Sequence, residues 1–253
     1  MELDHPEGEG VVKTYMLSFG PFFANFGEDG DHLLGIVVKD NLIDNSLGYE
    51  GTLGLIQTDS ANVKNNTFLN GKLIFAQLNR DTLVSENEFT DSTIEMGWNP
   101  TISGDVRIVD NHGTIQTGGR ADPIYGFFIM HPGANLIHLT IQKNTITVVE
   151  DTEVSFLGFF HPKSDTEVGT INLLENTLIR KKGNREHTRL DFIYSFVNFG
   201  EDSEVRGNRI VTDQSNVSRG LYFRDITTPF LFEYSDNQNS FGETLIPISG
   251  TAF

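Results

Sequence analysis

The sequence predicts an all-β chain of stacked parallel strands. Three observations predict it: one asparagine-centred frame recurs eight times, the apolar positions around it alternate with a period of two, and no segment joins a convincing helix cap to a 3.6-residue apolar stripe. Material for a core is present. Apolar residues make up 38% of the 253 positions and aromatics 11%, with 20 Phe against one Trp, which excludes wholesale disorder. That length admits one or two domains. No Pro/Gly/Ser-rich linker divides the chain, so residues 1–253 read as a single domain.

The eight frames are VKDNLI at Asn41, VKNNTF at Asn66, VSENEF at Asn87, IVDNHGTI at Asn111, IQKNTI at Asn144, LLENTL at Asn176, VRGNRI at Asn208 and YSDNQNSF at Asn237. Three residues before each Asn the side chain is apolar: Val38, Val63, Val84, Ile108, Ile141, Leu173, Val205 and Tyr234. Two residues after it, six of the eight are apolar; Asn111 and Asn237 instead reach Ile115 and Phe241 at the fourth position. The intervals are 25, 21, 24, 33, 32, 32 and 29 residues, the range of one supersecondary unit per repeat.

Each frame reads as strand, sharp bend, strand. Asparagine tolerates the left-handed backbone that such a bend needs. Its amide can also donate to one neighbour and accept from another, so stacked copies form a ladder at the strand spacing of about 4.8 Å. The apolar positions on either side then face one interior. An apolar strand and a polar turn precede the frames, as in PFFANFGEDGDHL, GFFIMHPGANL, GFFHPKSDTEV and SFVNFGEDSEV. Residues 25–31 (NFGEDGD) and 198–204 (NFGEDSE) are near copies. One rung is therefore strand, polar turn, strand, Asn corner, strand, variable loop. Eight rungs make a prism on the order of 40 Å long. Rungs before Asn111 are short and later ones long, so the larger loops belong to the C-terminal half.

In these frames the chain resembles the right-handed, single-stranded parallel β-helix of the pectate-lyase-like proteins, whose asparagine ladder lines one turn. The resemblance runs from about Phe22 to Phe241 and is nearest to the β-helices of phage tailspikes and receptor-binding proteins. It implies a fold and leaves function open, because the fold hosts enzymes and passive fibres alike. A solenoid exposes strand edges at its ends and needs caps. Residues 1–20 form a candidate N-terminal cap or linker and residues 243–253 a C-terminal end segment. Neither has the pattern of a full capping helix. This suggests a piece of a longer protein, or ends covered by partner subunits.

The formal charge is −17, from 18 basic and 35 acidic residues. Such a balance argues against general nucleic-acid binding and against docking on an anionic membrane; solubility alone accounts for it. No window is long and apolar enough for a transmembrane helix. Residues 1–10 hold four acidic side chains and no Lys or Arg, unlike a signal peptide. There is no cysteine, hence no disulfide, thiolate metal site or Cys nucleophile. That fits a cytosolic protein and equally a rugged extracellular or virion one.

GxSxG, the phosphate-binding GxxxxGK[ST], HExxH and the EF-hand loop are all missing. So are the paired-Asp and Gly-His-Gly signatures of polygalacturonases and the Asp-Pro-His signature of alginate epimerases. Four features remain. His131-Pro132 and His161-Pro162 follow apolar strands 30 residues apart, as a substrate-hydroxyl or metal site or simply as stacked turn residues. No third ligand is apparent, so no metal site is assigned. IRKKGNREHTR, residues 179–189, gathers five of the 18 basic residues. There Lys181 and Arg185 would hold a carboxylate, sulfate or phosphate, unless the loop only neutralises nearby acid. In LDFIYSF, alternation puts Phe192, Tyr194 and Phe196 on one face and Asp191 with Ser195 on the other. The equivalent strand LYFRDI presents Tyr222 and Arg224. Asp191 is the candidate acid/base and Arg224 a clamp, the alternative being an ordinary surface ion pair. Finally, Trp98, Tyr49, Tyr125 and Tyr222 are candidate sugar-stacking rings, while the phenylalanines fill the core.

Two function classes follow. One is a glycan-recognising β-helix on a virion or cell surface, binding a polysaccharide, with or without depolymerising it, as a homotrimer. The other is a monomeric secreted polysaccharide lyase or glycoside hydrolase, which would need a carboxylate pair or calcium-binding carboxylates; calcium is the one cofactor either class would admit. A purely structural β-helix is the third reading.

Overall fold

In the computed structural model the described residues are 16–19, 33–44, 51–96, 101–102, 105–116, 126–130, 135–149, 154–159, 168–180, 190–213 and 218–250. All their regular structure is β. The first turn of the chain holds β1 (Met16–Phe19), β2 (Leu33–Leu34), β3 (Val37–Lys39) and β4 (Leu42–Asp44). The second holds β5 (Gly51–Asp59), β6 (Asn62–Lys64) and β7 (Thr67–Leu69), and the third β8 (Gly71–Arg80), β9 (Leu83–Ser85) and β10 (Glu88–Thr90). The fourth holds β11 (Thr93–Met96), β12 (Thr101–Ile102), β13 (Val106–Val109) and β14 (His112–Ile115). Next come β15 (Gly126–Met130), β16 (Asn135–Gln142) and β17 (Thr145–Val148), then β18 (Val154–Phe159), β19 (Val168–Leu174) and β20 (Thr177–Arg180). The seventh turn holds β21 (Leu190–Ser195), β22 (Glu204–Arg206) and β23 (Arg209–Val211). The eighth holds β24 (Ser218–Arg224), β25 (Glu233–Ser235) and β26 (Gln238–Asn239), and β27 (Pro247–Gly250) starts a ninth.

Every pairing between these strands is parallel, and each joins one turn to the next. The chain is a parallel β-helix with three faces. Face A runs β1-β5-β8-β11-β15-β18-β21-β24-β27, face B runs β3-β6-β9-β13-β16-β19-β22-β25, and face C runs β4-β7-β10-β14-β17-β20-β23-β26.

The asparagine frames form the corner between faces B and C. Each ladder Asn donates its Nδ2–H to the Oδ1 of the next, from Asn41 through Asn66, Asn87, Asn111, Asn144, Asn176 and Asn208 to Asn237, at 2.8–3.1 Å. The same Oδ1 also accepts the backbone N–H of the Asn one turn earlier. A further Nδ2–H bond from Asn66 onward goes to the carbonyl of the apolar residue one turn earlier, such as Val38 for Asn66 and Ile108 for Asn144. Donors and acceptors are thus matched turn by turn, which is why buried asparagine is tolerated.

One expectation is corrected. The left-handed residue of the corner is the one before the asparagine: Asp40, Asn65, Glu86, Asp110, Lys143, Glu175, Gly207 and Asp236 all have φ between 55° and 68° except Glu86 at 54°. The ladder asparagine stays on the ordinary side of φ, which points its amide along the axis.

Inside, Leu53, Leu73, Ile94, Phe128, Leu157, Ile193 and Leu221 stack in register on face A. Phenylalanines thread the middle. Phe68 stacks on Phe89 at 4.6 Å, Phe89 meets Phe127 edge-on at 5.4 Å, and Phe128, Phe156 and Phe192 follow at 5.0 and 4.5 Å. This arrangement explains Gly113, the first departure from the apolar rule after the asparagine. A Cβ there would sit 2.6 Å from Phe127 Cε2 and 2.7 Å from Ile146 Cδ1, so Phe127 fills the space the missing side chain leaves. Gly113→Ala is expected to destabilise the protein by about 1–3 kcal/mol through overpacking, read by chemical denaturation. Phe127→Leu in the same chain should recover part of the loss.

The second departure, Asn239, closes the C-terminal end. Its Oδ1 accepts the N–H groups of Phe241 and Glu243, and its Nδ2–H reaches the Glu243 carboxylate. Leu245 N–H then donates to the Asn237 carbonyl at 2.8 Å, where a ninth turn would otherwise donate. The chain folds back on its own last corner, Gln238 bridging Thr244 antiparallel. This short polar turn satisfies the last corner of the ladder, at the start of the end segment that the sequence marks out at residues 243–253.

Candidate functional site

The outward-facing row of face A carries the candidate site. Alternation on these strands turns Ile94, Met96, Ile193 and Phe223 into the core; in the alternate row Glu95, Tyr194 and Tyr222 are buried as well, Ile74 and Ile129 are half-buried and Ile248 is exposed. The outward residues align in register as Gly54, Ile74, Glu95, Ile129, Gly158, Tyr194, Tyr222 and Ile248.

At the C-terminal end of the row, Tyr194 and Tyr222 stack with centroids 5.6 Å apart and planes 19° from parallel. Arg224, two residues beyond Tyr222, donates from Nη1 to the Tyr194 hydroxyl at 3.3 Å. Its guanidinium carbon lies 4.9 Å over the Phe196 ring and its Nε 3.4 Å from Asp225 Oδ2. The hydrogen bond to Tyr194 holds the guanidinium above its ordinary pKa, against a smaller opposing effect of desolvation. Fixed on three sides, with 32% of its side chain exposed, Arg224 presents a preorganised charge to solvent.

Tyr222 differs from its expected role. Its ring is 5% exposed, lying against Tyr194 on one side and beside Gly250 on the other, where an added Cβ would come within 3.0 Å of the hydroxyl. It buttresses the site and does not offer an open stacking face.

Asp191 also differs. It has no exposed surface, and all six residues of β21 are buried. Two register shifts between β21 and β24, at Leu190/Asp191 and Asp191/Ile193, break the expected alternation, so that Phe192 and Ile193 both enter the core. Asp191 pairs with Gly220, four residues before Arg224, which separates the two by about 13 Å along the strand. The expected Asp191–Arg224 pair is thus not formed, and a carboxylate without exposed surface is poorly placed for proton exchange with a ligand on the outer row.

Lys181, Arg185, His131 and His161 lie outside the described residues, as do Trp98, Tyr49 and Tyr125. The strands leading to the two histidines, β15 and β18, are adjacent. Sequence reasoning missed the part of Tyr194 and Phe196 in fixing Arg224; the matched placement of Tyr in FIYSF and LYFRD was the available signal. It also missed a second polar group on the row. Lys72 Nζ lies 3.1 Å from Glu95 Oε1, which accepts the Thr93 hydroxyl at 2.9 Å. Among the described residues no group of three or more His, Asp or Glu is arranged to hold a metal ion.

Comparison with protein-family models, curated proteins and solved structures finds no match to this chain.

Proposed function

We propose that this β-helix is a carbohydrate-recognition module of the tailspike type, displayed on a virion or cell surface, and that it holds an acidic polysaccharide against the outer row of face A. The observation that carries this reading is Arg224: a partly exposed arginine held by a tyrosine hydroxyl and an aromatic ring in a protein of charge −17. An acidic protein that binds an anionic polymer concentrates its few cations where the ligand lies. Lys181 and Arg185, in the basic segment directly before β21, supply further cations in this reading. The function is recognition; with Asp191 buried, depolymerisation is the less supported version. Self-association as a parallel trimer belongs to the same reading, and native mass spectrometry tests it: a monomer at micromolar concentration contradicts it.

Arg224→Ala should weaken glycan binding by about tenfold to a hundredfold, the worth of one charge-assisted hydrogen bond. Wild-type binding should weaken as salt rises. Asp191→Asn, if it folds, should leave binding unchanged. Full binding by Arg224→Ala would place the site elsewhere. A purely structural β-helix is the second reading, favoured by the burial of both tyrosine rings, and it predicts that no glycan binds.

A further inference from the structure

At the N-terminal end of faces B and C we infer a docking edge for a partner polypeptide: an extended segment of the form apolar-apolar-x-x-Asn-apolar-apolar, laid parallel to β3 and β4 as one more turn of the asparagine corner. The inference is independent of the carbohydrate reading above.

The ladder is directional, and its two ends differ. Each Oδ1 from Asn66 to Asn237 accepts two bonds from the asparagine one turn earlier, one from the backbone N–H and one from Nδ2–H. Asn41 makes both donations to Asn66, but among the described residues no donor reaches its own Oδ1, and the residue is exposed. The strands beside it share this condition: among the described residues β3 pairs only with β6 and β4 only with β7. At the other end Asn237 is fully buried, and its carbonyl accepts Leu245 N–H from the closing turn. The outward side chains of the first turn add a second observation. Leu42 is 64% exposed, yet it heads a face C column that continues Thr67, Glu88, His112 and Thr145 down to Gln238 with no apolar member. Across the corner Val37 is 66% exposed beside Asn62. An adjoining segment would take both side chains out of water.

These constraints select the occupant. A second copy cannot extend the ladder in either direction. Head to head, two Oδ1 acceptors would meet without a donor; head to tail, the Asn237 amide that would have to donate has no exposed surface. A corner one turn before Asn41 would fall ahead of β1, and residues 1–15 hold no asparagine. The occupant is therefore a partner chain. Its asparagine donates N–H and Nδ2–H to Asn41 Oδ1, as Asn41 does to Asn66. Its residues three before and two after the asparagine cover Val38 and the half-buried Ile43, both part of the core, and are apolar for that reason. Its residues four before and one after meet Val37 and Leu42, which makes them apolar as well.

The test uses two labelled peptides as probes, titrated with the whole chain and followed by fluorescence anisotropy. The first carries residues 58–70 of this chain, the frame of Asn66. The second is the same peptide with Asn62→Val and Thr67→Leu, which sets apolar residues beside Val37 and Leu42. Both should bind saturably, the second about tenfold more tightly. Asn66→Ala in the second peptide should weaken it about tenfold, and Asn41→Ala in the protein should do the same, since each removes one side of the same hydrogen bond. Leu42→Glu leaves the ladder intact and should remove most of the second peptide's advantage over the first; it keeps the test valid if Asn41→Ala disturbs the first turn. No saturable binding of either peptide overturns the inference, as does binding that is indifferent to Asn66→Ala in the peptide and to Asn41→Ala and Leu42→Glu in the protein.

Discussion

Phe156→Ala should cost about 3–5 kcal/mol, the largest loss expected of any single substitution in this chain. Phe156 has no exposed surface and sits in the middle of the aromatic thread, stacked on Phe192 at 4.5 Å and tilted against Phe128 at 5.0 Å. Removing the ring leaves a cavity closed above and below by neighbouring turns. Their backbones are pinned at the strand spacing, so the walls cannot collapse into it. In a solenoid each turn touches only its neighbours, so the damage is local to the interface between the fifth, sixth and seventh turns. Denaturant unfolding followed by circular dichroism should show an early transition of the C-terminal turns. A loss below about 1 kcal/mol would mean that the thread does not hold the turns together.

Asn144→Ala should cost on the order of 3 kcal/mol, although it removes only a small polar side chain. Asn144 Oδ1 accepts the backbone N–H and the Nδ2–H of Asn111, both at 2.9 Å. Its Nδ2 donates to the Ile108 carbonyl and to Asn176 Oδ1. Alanine leaves groups on both adjacent turns buried without these partners, at about 1–3 kcal/mol each before relaxation. Asn41 supplies the internal control. It is exposed at the first turn and bonds to the ladder on one side only, so Asn41→Ala should cost well under half as much. Equal losses at Asn41 and Asn144, measured by thermal melting, would show that the ladder adds nothing beyond ordinary corner bonds.

These two results concern features that the sequence displays openly. The ladder repeats one residue type in one frame, and the matching apolar positions tie each frame to the same interior, so stacking is the arrangement that satisfies all of them together. The left-handed residue before each asparagine was less legible, because Asp, Glu, Lys, Asn and Gly share that position and no single type marks it. Gly113 and Asn239 look like lapses in the pattern when taken alone. Each makes sense only in three dimensions, Gly113 by the intrusion of Phe127 and Asn239 by the turn that closes the last corner.

The site was harder to read for a related reason. Placing Asp191 on the surface required strict alternation along LDFIYSF, and two register shifts against β24 remove it. Such bulges leave no mark in residue types when both neighbours are apolar enough for a core. The association of Tyr194 with Arg224 depends on register across adjacent turns, 28 residues apart in Tyr194 and Tyr222, and the pairing of Lys72 with Glu95 runs diagonally across two strands. Neither relation is periodic in the sequence.

The most direct test of the central claim is a glycan array probed with the whole wild-type chain, followed by a reducing-end assay on whatever binds. The account predicts binding to linear acidic polysaccharides, weakened by salt and by Arg224→Ala, with no new reducing ends released. Binding to no glycan at all would contradict it and leave a purely structural β-helix. Release of reducing ends that Asp191→Asn abolishes would contradict the assignment of recognition without cleavage.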